Sequence, residues 1–163
     1  MDRRTLSLVL GVALIANASQ QVAAQSGPPG LQGAWTIQEI TSPQPPANPR
    51  NKPTGLIQIS GRYFSVVVNN DSARPGLPEG GAAKATAAQL LATWGPLVAN
   101  AGTFTVTGNV MRQTQVIAKA PVAAGNFAEW SFTLNGDSLV ITQVKNQNGP
   151  IQNPVTVRLT RAK

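Results

Sequence analysis

Eight short runs rich in Val, Ile, Thr and aromatic residues follow one another between Ala34 and Arg161, each bounded by Gly, Asn, Asp or Pro. Strands this short and this close in sequence pair as hairpins, and a wide antiparallel sheet loses its two unpaired edges by closing. The runs are Ala34 to Thr41, Gly55 to Ser60, Arg62 to Asn69, Gly102 to Thr107, Asn109 to Lys119, Asn126 to Leu134, Ser138 to Lys145 and Pro154 to Arg161. Gly61 and Asn135-Gly136-Asp137 supply tight-turn chemistry between neighbouring runs. The expected fold is all-β: an eight-stranded antiparallel up-and-down barrel, with an interior just wide enough for side chains or one small ligand.

One segment breaks the pattern. Ala82 to Trp94 is rich in Ala, and Leu90, Leu91, Trp94, Leu97 and Val98 recur at near-helical spacing until Gly95-Pro96 stops or kinks the run. This predicts one inserted α-helix, at about 82–94, laying its apolar face across the barrel or its end. Ser42 to Pro53 is dense in proline, cannot join a central sheet, and is a candidate rim loop.

Upstream, Met1-Asp2-Arg3-Arg4 precedes an apolar run from Leu6 to Ala16, and Val22 and Ala24 suit the pockets of a signal peptidase. Residues 1–24 are expected to be a signal peptide cut after Ala24, which would put the mature chain in the periplasm or outside the cell. The apolar run is about half of the roughly 20 residues a membrane span needs, so no transmembrane segment is expected. Arg3-Arg4 fits a twin-arginine signal as well as an ordinary basic start, and both export routes stay open. Residues 25–32 read as a flexible Gly/Pro-rich leader, and 33–163 as one domain.

The residues that are missing narrow the chemistry. With no Cys and no His, disulfides and thiol catalysis are excluded, and so are the usual base near neutral pH and the commonest zinc ligand. Glu39, Asp71, Glu79, Glu129 and Asp137 are scattered, without the spacing of a carboxylate pair or a metal cage. No metal and no cofactor are expected, and hydrolysis by conventional acid-base chemistry is disfavoured. The formal net charge of +7 favours an anionic lipid or an acidic partner. Its cations stand singly, however, and aromatic residues are few, which argues against nucleic acid.

Leu31-Gln32-Gly33-Ala34-Trp35 resembles the Gly-x-Trp motif of lipocalins, and Arg161 lies in phase with Val155, Val157 and Leu159 on the last run. The order continues with Pro53-x-Gly55, then Ile57-x-Ile59-x-Gly61-Arg62-Tyr63-Phe64-Ser65-Val66, Asp71-x-x-Arg74-Pro75, the Ala-rich helix, and Ala101-Gly102-Thr103-Phe104-Thr105-Val106. Over essentially the whole mature chain, this series resembles the bacterial lipocalin-like domain family. The resemblance implies a barrel with a pocket and no settled activity. It implies structural roles for Gly33, Trp35 and Arg161, with Arg161 packed on Trp35 to close one end and Arg158 as the alternative partner. Members often carry a histidine early in the strand that begins here at Asn109, where this chain has Arg112.

The candidate ligand contacts are Tyr63, Asn69, Trp94, Arg112 and Trp130. Three are polar groups on strands whose inward face the alternation leaves open. Trp94 is either packing on the barrel or a lid over its mouth, and Trp130 shares a face with Phe132, as core or as ligand platform. Asp71 and Arg74 suggest a loop ion pair or an Asx-turn. Three functions follow. A barrel could carry or sequester a small hydrophobic or amphiphilic molecule without catalysis, as a monomer. A filled barrel could bind an envelope partner through its loops. A cyclase or isomerase would need Glu39 or Glu129 turned inward.

Overall fold

The computed structural model describes residues 27–43 and 52–163. The expected signal peptide, the first residues of the leader and the middle of the proline-rich loop lie outside the described residues. The strands are β1 (Gly33–Thr41), β2 (Thr54–Ser60), β3 (Tyr63–Asn69), β4 (Leu97–Thr107), β5 (Val110–Ala118), β6 (Phe127–Asn135), β7 (Ser138–Asn146), the two-residue β8 (Gly149–Pro150) and β9 (Thr156–Arg161). Each strand from β1 to β7 pairs antiparallel with the next, β7 pairs with β9, and β9 returns to β1. The result is the expected closed, eight-stranded, up-and-down barrel, with β8 a short addition at the end of β7.

The two ends of the barrel are built differently. Gly61-Arg62, Gly108-Asn109 and Gly136-Asp137 are tight turns that all lie at one end, and the four longer connections all lie at the other. The fully buried Leu31, Trp35, Ile59, Met111, Leu139 and Leu159 gather at the tight-turn end. Burying each large apolar side chain contributes about 1.5–3 kcal/mol. On β1 a bulge between Ile37 and Glu39 shifts the inward row, so Trp35 and Ile37 are followed inward by Ile40 rather than by Glu39.

The helix is shorter than the sequence suggests. A 3-10 turn at Gly81–Lys84 comes first, then an extended Ala85, and α1 spans Ala87–Trp94. The reason is the cap: Thr86 accepts from the Gln89 amide while the Gln89 side chain accepts from Thr86, a capping box that sets the start of α1. Leu97 and Val98, which extended the helical spacing, belong to β4 instead. The expected apolar face is not buried either. Only Thr93 is buried in α1, while Leu91 and Trp94 stay exposed. Lys119 holds the helix C-terminus by donating to the carbonyls of Trp94, Gly95 and Leu97, where the helix dipole favours a cation.

The leader reading also needs correction over 27–32. Pro29–Leu31 form a 3-10 turn and Leu31 is completely buried. Gly27 packs against the Phe104 ring and Gly30 against Leu134, so that a side chain at either site would have to displace its neighbour. The apolar Leu31 draws this stretch under the barrel, a signal that its Gly/Pro content masks.

Candidate functional site

Two structures divide the barrel interior along its axis. At the tight-turn end the indole N–H of Trp35 donates to the Leu31 carbonyl at 2.9 Å, and the Arg161 guanidinium lies 4.2 Å from the Trp35 ring centroid. Arg161 also donates to the Gln32 and Gly30 carbonyls at 2.7 and 2.8 Å and pairs with Asp137 at 3.0 Å. Gly33 is favoured here by its φ of +118°, which would strain any residue with a side chain; a Cβ would also stand 2.9 Å from the guanidinium. Gly33, Trp35 and Arg161, the three residues given structural roles by the resemblance, thus meet at this end. Arg158 instead pairs with Glu39 on the outer surface, at 3.3 Å.

Toward the other end the interior opens into a cavity of about 380 Å³. One wall, from β1, β2, β3 and β9, is aliphatic and aromatic: Ile37, Ile40, Ile57, Phe64, Val66, Val68 and Val157. The facing wall, from β4 to β7, mixes Ala128, Trp130 and Ile141 with the side-chain amides of Asn100, Gln113, Gln115 and Gln143, and Ser42 and Asn70 stand at the mouth. Among the described residues no Asp, Glu, Lys or Arg lines it. Register brings the polar groups together: Trp130 faces Gln143 across β6–β7 and Met111 across β5–β6, while Gln113 and Gln115 follow Met111 along the inward row of β5. At Gly102, opposite Gln115, a Cβ would overlap the Thr114 carbonyl, so a glycine lets β4 and β5 approach closely there.

Two polar atoms in this wall are buried without a partner, the side-chain oxygen of Gln115 and the indole N–H of Trp130. Each such group costs about 1–3 kcal/mol of lost solvation if it stays unpaired. Both atoms are closed off from the cavity in this arrangement, so a ligand or an ordered water would satisfy them only after the side chains turn toward it.

Of the candidate ligand contacts, Trp130 lines the cavity and the other four do not. Tyr63 is 59% exposed on the outer face, with Arg62 over its ring. Asn69 has outward parity, opposite to buried Val68, and its side chain accepts from the Asp71 amide. Arg112 points outward, 2.9 Å from Glu129 and stacked 3.5 Å over the Phe127 ring. Trp94 is half exposed, and no residue of α1 lines the cavity, so the lid reading is corrected. Asp71 makes the Asx-turn, accepting from the Ala73 amide, while Arg74 turns away to the Thr93 carbonyl.

The amides were missed although the chain carries their signal. Gln113 and Gln115 alternate in phase with Met111, Gln143 with Leu139 and Ile141, and Asn100 with Val98 and Phe104. An amide in phase with an apolar row faces inward.

No family model matches the chain. No curated protein matches it either. Among solved structures it is similar to a point mutant of the fluorescent protein UnaG, at 12% identity and a TM-score of 0.39, over 82% of this chain and 97% of that one.

Proposed function

We propose that this protein is an exported barrel that binds or sequesters one small apolar or amphiphilic molecule and performs no reaction on it. The observation that carries this reading is the cavity, whose volume of about 380 Å³ falls in the range of roughly 300–1,000 Å³ usual for small-molecule sites. Its apolar wall supplies the driving force for binding, and its few convergent polar groups supply orientation. Export to the periplasm or beyond follows from reading residues 1–24 as a signal peptide, and membership of the bacterial lipocalin-like domain family is part of the same proposal.

The cyclase or isomerase alternative needs an inward carboxylate. Glu39 and Glu129 both lie in outer-surface ion pairs, with Arg158 and Arg112. The partner-binding alternative assumed a filled barrel, and the cavity removes that premise. What still favours a partner is the rim, where Leu91, Val116, Ile117 and Val122 are all exposed near the open end. Without residues 1–24 the chain keeps 11 basic against 5 acidic residues, so an anionic lipid surface or an acidic protein is the partner that charge favours.

Native mass spectrometry of the protein purified without detergent, followed by organic extraction, tests the binding reading. One stoichiometric adduct is the expected result. A clean unliganded mass that persists after incubation with hydrophobic dyes would overturn it.

A further inference from the structure

The cavity wall also narrows the chemical class of the ligand, an inference that rests on the binding reading above. Gln115 and Trp130 line the cavity, and each carries a buried polar atom without a partner, the side-chain oxygen of one and the indole N–H of the other. An occupant that satisfies both, once the two side chains turn to present these atoms, must bring a hydrogen-bond acceptor for the indole N–H and a donor for the amide oxygen. Asn100, Gln113 and Gln143 add further neutral amides to that wall. An ionised head group finds no opposite charge among the residues described there, and a buried charge without a counter-charge is heavily penalised.

We propose that the cavity selects an uncharged molecule with a compact apolar body and one polar edge carrying both a carbonyl and an N–H or O–H, as in an amide, a lactam or a hydroxyketone, and discriminates against carboxylates. The aliphatic wall takes the body and the amide wall takes the edge. A site built to hydrogen-bond its ligand rejects an analogue that lacks the group, because its own buried atoms are then stranded.

Three probes with one bicyclic body separate the possibilities: 2-naphthamide, 2-naphthoate and 2-methylnaphthalene, titrated calorimetrically into the full protein near neutral pH. The amide should bind at least tenfold more tightly than either of the others. Gln115→Leu and Trp130→Phe should each weaken the amide severalfold and leave methylnaphthalene unchanged or improved. Naphthoate binding as tightly as the amide would overturn the charge argument. Equal binding of amide and methylnaphthalene, unaffected by both variants, would mean that water serves the two buried groups; that would overturn the proposal while leaving the binding reading standing. If none of the three binds and the protein also carries no adduct and takes up no dye, the binding reading itself fails.

Discussion

At the tight-turn end of the barrel, buried polar groups and their partners are matched: Trp35 donates to Leu31, and Arg161 satisfies two backbone carbonyls while stacking on the indole. At the open end, the Trp130 indole N–H and the Gln115 oxygen are equally buried and have no partner. Two tryptophans in one barrel thus differ in how they are used: Trp35 is fully buried under Arg161 with its N–H bonded, and Trp130 is partly buried beside the cavity with its N–H unpaired. The difference teaches that folding free energy and binding capacity sit in separate halves, so a residue's effect on one should predict little about the other.

Substitutions that divide the halves can break that comparison. Trp35→Ala should have the largest effect, about 3–5 kcal/mol of lost stability as for other buried aromatic truncations, measured by urea denaturation. A loss under about 1 kcal/mol would mean that the tight-turn end does not hold the barrel together. Arg161→Met comes next, at about 2 kcal/mol, because it strands the Gly30 and Gln32 carbonyls as well as losing the ring contact.

The sign should then reverse. Gln115→Leu removes an unpaired buried acceptor, so the ligand-free protein should be as stable as before or gain up to about 1 kcal/mol, while affinity falls. A clear loss of stability would show that the Gln115 amide is already satisfied in the empty barrel. The smallest effect belongs to Arg112→Ala on the outer face. Its pair with Glu129 is partly exposed, so about 0.5 kcal/mol is expected, reduced further in high salt, with ligand affinity unchanged.

How much of this was legible in the sequence differs between the same two halves. The strands and their order could be read because they rest on local signals, turn residues and alternation; the pairing of Arg161 with Trp35 came only with the Gly-x-Trp resemblance. The cavity was harder to read. Gln113, Gln115 and Gln143 do alternate in phase with apolar neighbours, but alternation alone does not say which row faces inward, and a bulge at Ile37/Glu39 on β1 and shifts of register on β4–β5 and β6–β7 interrupt the rhythm. Tyr63 and Arg112 looked attractive because they were conspicuous residue types, whereas Gln113, Gln115 and Gln143 looked like ordinary surface polar residues. Spacing also misled at Leu97 and Val98, where β4 continued an apolar rhythm that the helix had begun.

Arg161 reaches back to Gly30 and Gln32, across 131 and 129 positions of chain. That separation carries a large loop-closure cost, so the expected outcome in a refolding experiment is that this end seals late, after the hairpins form. A chain whose last strand has not yet docked can form the hairpins from β2 to β7 one after another, yet leaves Leu31 and Trp35 beside an open seam. Proofreading of this protein by proteases should therefore depend less on how much of the chain is missing than on whether its last strand has arrived.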